Sequence, residues 1–211
     1  MVDQIQEIVV LISSLLPLTA LYIQGQAFLV PSVKAVGVQS FVVAILSFTL
    51  AVIYRQEELL ILGIIVLFTR AVLTPLVILK VSRFRNWERE RIGGVTSIFA
   101  LNVAFFFSAT LVLIFLVLSR VLPNLDVEEL SIPFILFFQG MFLIASRRST
   151  VAHILGYVEL ENGLVALGLF LIPPPLLIDV TVFLDVLALV VISSVVIVEK
   201  SEHEPMEELV G

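Results

Sequence analysis

The sequence predicts an all-α, polytopic membrane protein with about seven transmembrane helices. Sixty per cent of its 211 residues are hydrophobic and only 14% are charged, a balance typical of integral membrane proteins. The apolar residues gather into runs near the roughly 20 residues that a helix needs to cross a ~30 Å hydrocarbon core. Lys and Arg collect in alternate connections, the pattern expected when cytoplasmic loops are the positive ones.

Seven runs qualify, at roughly 5–30, 36–54, 59–79, 95–122, 131–146, 150–172 and 176–198. The first is long and lacks a basic leader, so no cleaved signal peptide is expected. Lys34 and Arg55 bound the second, and the third holds Arg70 and Pro75. The fourth ends at Arg120. The fifth is short and starts near Pro133, so six spans plus a re-entrant piece is the alternative. The sixth carries the polar stretch GYVELENG, Gly156 to Gly163, and the seventh follows Pro173-Pro174-Pro175. The connections are too short to fold as a soluble domain. The chain accordingly divides into a four-helix part (1–122), a three-helix part (123–199) and an acidic tail (200–211).

With seven spans, Lys34, Lys80, Arg83, Arg85, Arg89, Arg91, Arg147, Arg148 and Lys200 share one side, and Arg55 and Arg120 hold the other. The richer side is then cytoplasmic, with the amino terminus outside and the carboxy terminus inside. The loop from Lys80 to Arg91 interleaves arginines with Phe84 and Trp87. It reads as an ordinary positive-inside loop or as a surface for headgroups or a partner subunit. The net charge of −6 stems mainly from Asp126 to Glu129 and from the tail Glu199 to Glu208, so no nucleic acid is expected to bind. Cysteine is absent and only His153 and His203 are present. Iron–sulfur clusters and nickel–iron centres need thiolates, so no cofactor, metal or catalytic residue is expected.

What remains are charges inside apolar runs. Each costs roughly 2.5–3.5 kcal/mol near the bilayer centre on insertion scales, and such residues mark ion or proton pathways by default. Counting 1.5 Å per residue from Arg148, Glu159 lies about 16 Å deep and Glu161 about 20 Å. Glu161 shares a helix face with Tyr157 and His153 at i, i+4, i+8, a polar line suited to a relay. Glu159 points nearly opposite, beside Asn162. Each acid competes with the reading of a protonated structural carboxyl, and His153 with that of a plain hydrogen-bonder. Asp185 falls near the midplane of the seventh span. Asp179 falls in that helix's first turn, where capping is a rival to relay work. Arg70 lies near the midplane of the third, and a buried guanidinium must pair with a carboxylate or carbonyls. Pro75 removes a helix hydrogen bond one turn later. Gln39, Asn102 and Gln139 read as interhelical hydrogen-bonders.

Three segments together resemble component E of hydrogenase-4, a membrane subunit of group 4 nickel–iron hydrogenases and formate hydrogenlyases. They are FTRAVLTPLVI (Phe68 to Ile78), RRSTVAHILGYVELENG with its Gly156, Tyr157, Glu161, Asn162 and Gly163, and the stretch Pro175 to Asp185. The family usually has lysine where this chain has Arg70, and Glu159 is an extra acid. The last three spans are also similar to the K-type subunit of complex I and the C-type subunit of multisubunit sodium–proton antiporters. In an ungapped alignment on Gly156, the K-type acid falls at Val158. The resemblance implies a multi-pass subunit of a prokaryotic inner (plasma) membrane. Its partners would be antiporter-like and complex-I-like subunits and a peripheral hydrogenase and iron–sulfur arm. Glu161, Asp185, Glu159, Arg70, Asp179, His153 and Tyr157 would relay protons, coupling redox chemistry elsewhere to H+ or Na+ movement. A stand-alone antiporter and a purely structural scaffold are the rivals. No inverted repeat supports the first, and neutralising the buried acids would leave the second unchanged.

Overall fold

The computed structural model describes residues 2–81, 97–121, 127–147 and 149–202. Among these, every element is helical: α1 (Val2–Gly25), α2 (Leu29–Tyr54), α3 (Glu57–Val66), α4 (Thr74–Val81), α5 (Ser97–Val121), α6 (Val127–Ser146), α7 (Thr150–Leu171) and α8 (Pro174–Glu202). A seven-residue π turn, Leu67–Leu73, joins α3 to α4. Five stretches of the described residues are long and apolar enough to cross a membrane: Glu7–Gly25, Leu29–Tyr54, Glu57–Lys80, Thr150–Leu171 and Pro174–Val191. The apolar stretches of α5 and α6, Val103–Val117 and Leu130–Ser146, are shorter. Most of the basic loop after Lys80, the loop around Asp126, and the tail beyond Glu202 lie outside the described residues.

Three boundaries differ from the sequence-based expectation. The first predicted span overruns: α1 stops at Gly25, and α2 begins at Leu29, so Lys34 is inside a helix instead of a loop. A lysine near a helix end lays its stem on apolar surface and carries its ammonium to the headgroups, so its charge does not mark a break. At the other end of the chain, α8 starts at Pro174, with the Leu177 amide donating to the Pro173 carbonyl. Proline is tolerated in a first turn because its missing N–H would have no partner there. Asp179 therefore falls in the second turn and stands exposed, so the capping role expected for it does not hold. The third difference is the π turn. Pro75 cannot donate to the helix ladder, and the turn before it widens: the Thr74 amide and hydroxyl both reach back to the Thr69 carbonyl.

The helices pack around α2 and α7, the most buried of the candidate spans; α8 is the least. α7 lies against α6 along Gly140, Gly156 and Gly163, where backbone meets backbone. A Cβ on Gly140 would sit 2.5 Å from the Leu160 nitrogen and 2.8 Å from the Gly156 carbonyl oxygen. Small residues let helices approach this closely where lipid offers no hydrophobic drive to association. Gly140→Val is therefore expected to destabilise the protein by about 1–3 kcal/mol or more, the range for overpacking. Gly25→Ala is the control, because its Cβ meets only the Leu101 side chain at 3.4 Å. Thermal unfolding in detergent checks the difference, and equal melting of the two variants would refute it.

At one end of the bundle, Arg147 ties the α6–α7 connection to the α1–α2 connection. Its Nη2 donates to the carbonyls of Gln24 at 2.6 Å and Gln26 at 3.2 Å. Helices α1 and α6 thus finish at the same end.

A buried charged triad at the π turn

Arg70, at the centre of the π turn, is 1% exposed. A guanidinium that cannot reach water must find negative partners, and it finds them on two helices. Its Nε donates to Asp185 Oδ1 on α8 at 2.5 Å. Its Nη2 lies 3.7 Å from Glu161 Oε2 on α7, inside ion-pair range but beyond a hydrogen bond. Asp185 gains a second donor, the Thr69 hydroxyl, at 2.7 Å to Oδ2. The widened π turn presents both Thr69 and Arg70 to the same carboxylate. Such turns recur at functional sites.

The triad is incompletely paired. Neither Nη of Arg70 nor either oxygen of Glu161 makes a hydrogen bond among the described residues. A cleft of about 10 Å³, lined by Thr69, Arg70, Thr74, Glu161 and Asp185, adjoins them. That volume is at the threshold for one water, and Leu73, Ala188 and Leu189 close the apolar side of the cleft.

One positive charge therefore faces two acids that are held differently. Asp185 accepts from two donors. Glu161 accepts no hydrogen bond among the described residues. Of the other expected residues, Tyr157 is half-buried and its hydroxyl faces the Glu161 carboxyl, without closing a hydrogen bond. His153 does not continue the line. It is exposed, and its Nε2 meets the Arg147 carbonyl at 2.8 Å. Glu159 is fully buried and, among the described residues, has no hydrogen-bond or ion-pair partner. Asp179 is exposed and outside the cluster.

Polar side chains flank the triad. Asn162, next to Glu161, donates to Gln39 Oε1 at 3.1 Å and to Ser40 Oγ at 2.9 Å on α2. Further across, Gln139 on α6 donates to Ser108 Oγ on α5 at 2.6 Å, and Gln24 on α1 donates to the Gln139 carbonyl at 3.0 Å. The expected interhelical roles of Gln39 and Gln139 are thus in place, while the side chain of Asn102 lies outside the described ones. Thr69, Thr74 and Ser40 escaped sequence reasoning. The signal for the first two was a threonine before and six residues before Pro75, placed to re-satisfy a helix that proline disrupts.

The fold and site define a helical, membrane-type protein whose buried charge cluster is built from three helices. No protein-family model, curated protein or solved structure matches the chain.

Proposed function

We propose that the chain is a non-catalytic, seven-span subunit of a complex-I-like energy-converting oxidoreductase of the group 4 hydrogenase type. In this reading it passes protons through the Arg70–Glu161–Asp185 triad and couples a partner's redox chemistry to H+ or Na+ movement. The observation that supports it is the triad itself. It sits about half-way along each of its three helices, where a charge is most costly and is kept for transport. An ion pair serving structure alone should be saturated with hydrogen bonds; among the described residues this one leaves Glu161 and the outer nitrogens of Arg70 unbonded beside a water-sized cleft. The sequence resemblance supplies the kind of complex, and antiporter-like membrane subunits and an iron–sulfur arm are the partners it calls for.

Purification of the native complex in mild detergent tests the assignment. Hydrogenase-type and antiporter-like subunits should co-purify with the chain. A chain that purifies alone and exchanges ions alone in liposomes would overturn it.

The proposed topology has the amino terminus outside and the basic loop cytoplasmic. In this cysteine-free sequence, Gln26→Cys in the α1–α2 turn and Gln56→Cys between α2 and α3 should label from opposite faces with an impermeant thiol reagent. Labelling from one face only would reject it.

A further inference from the structure

Away from the triad, the bundle end where Arg147 joins the α1–α2 and α6–α7 connections carries an open groove on its outer surface. It lies between α1 and α2, encloses about 360 Å³, and is lined by Thr19, Tyr22, Val30, Pro31, Lys34, Ala35 and Val38. The volume falls within the ~300–1,000 Å³ range of sites that hold small molecules. Its two ends differ chemically. Tyr22 and Lys34 stand near the adjoining ends of α1 and α2 and are exposed. Val38 lies one turn deeper than Lys34 and is 55% exposed, with Ala35 and Thr19 beside it. The Thr19 hydroxyl is already committed to the carbonyls of Leu15 and Leu16. Lys34 and Tyr22, by contrast, have no ion-pair or hydrogen-bond partner among the described residues.

A cation and a phenol at the headgroup level, above an apolar trough that runs toward the hydrocarbon, match one kind of molecule. We propose that this groove binds a single anionic phospholipid. Its phosphate sits between the Lys34 ammonium and the Tyr22 hydroxyl, and an acyl chain lies along Ala35 and Val38. Lys34 is about 7.5 Å along α2 from Leu29 at 1.5 Å per residue, so its stem reaches the headgroup layer without straightening fully. Tyrosine suits the same level, with its ring in the apolar margin and its hydroxyl toward the phosphates. Pro31 lines the trough near the start of α2. Its missing N–H belongs to the first turn, where no partner is needed.

The same chemistry separates a lipid from its competitors. Free phosphate satisfies Lys34 but leaves the trough unfilled. A zwitterionic lipid fills the trough but places a second cation near Lys34. An acidic segment of a partner subunit would replace the headgroup and need no acyl chain.

The test uses the full chain in detergent, titrated with phosphatidylglycerol or with phosphatidylcholine of identical acyl chains, and read by native mass spectrometry. One phosphatidylglycerol should be retained about fivefold more tightly than phosphatidylcholine, the scale expected for one lysine at an anionic headgroup. Lys34→Gln should remove that preference and Lys34→Arg should keep it. Val38→Trp, which fills the trough and leaves the lysine in place, should weaken both lipids. All three substitutions are at exposed positions, and each variant should melt as the parent does. Equal retention of the two lipids by the parent overturns the proposal, as does an unchanged preference in Lys34→Gln. Displacement of phosphatidylglycerol by millimolar inorganic phosphate reduces the site to an anion contact and rejects the acyl trough. In the native complex, a Lys34-directed cross-linker should capture lipid, and capture of a partner's acidic segment would overturn the assignment.

Discussion

Arg70→Ala should abolish coupled ion movement and destabilise the protein by about 3–5 kcal/mol, the cost of removing one partner from a buried charge pair. The reason is positional. Arg70 is the shared cation of Asp185 and Glu161, so its loss leaves two acids facing each other with no counter-charge. Arg70→Met separates charge from packing, because it fills much of the volume and supplies no donor; it should fail as alanine does. Arg70→Lys keeps a movable positive charge but loses the planar fork that serves two helices at once. It should assemble, melt below the parent and retain part of the coupling. Thermal unfolding in detergent and ions moved per electron in liposomes containing the complex are the two readouts. Normal pumping by both Arg70→Ala and Arg70→Met would make the residue structural at most.

The second large effect concerns the acids. Glu161→Gln with Asp185→Asn should let the complex assemble and run its redox reaction in uncoupled membranes, since the expected redox centres lie in other subunits. Ion movement per electron should drop to the leak level, because an amide does not give up a proton in this range. The single variants should part company. Asp185 accepts from both Arg70 Nε and the Thr69 hydroxyl, so Asp185→Asn weakens two bonds and should cost stability as well as transport. Glu161 accepts no hydrogen bond among the described residues; its amide should melt near the parent while transport falls. Glu161→Asp retains the acid and should be milder than Glu161→Gln. Glu159→Gln removes a carboxyl that has no partner among the described residues and lies outside the triad, and transport should persist. Normal pumping by the double variant would reject the relay and leave a scaffold.

How far the site was legible depends on which physical effect marks each residue. Arg70, Glu161 and Asp185 stand out in the sequence because hydrocarbon penalises any charge that lacks a purpose. Counting residues along the helices places each near the middle of its segment. Asp179 falls in the second turn instead of the first because α8 opens at Pro174, two residues before the expected span, and proline opens helices as well as breaking them. His153 shares a helical face with Tyr157 and Glu161, yet its ring turns back to the Arg147 carbonyl. A shared face fixes the direction of a Cβ, while the rotamer and the nearest free acceptor decide where the ring goes. Thr69 gave no charge signal and emerged only as a second donor to Asp185.

By itself, then, the sequence determined the helical class, the order of the apolar spans, and which buried charges need explaining. Each of these follows from short-range costs: apolar length against bilayer thickness, and the desolvation of single side chains. Which charge meets which was decided by the tertiary structure. Arg70 reaches Asp185 and Glu161 because Pro75 widens the turn before it and because α7 is seated by the glycine contacts at Gly140, Gly156 and Gly163. Helix rotation and separation arise from packing between segments far apart in the chain, and no local pattern along one helix records them.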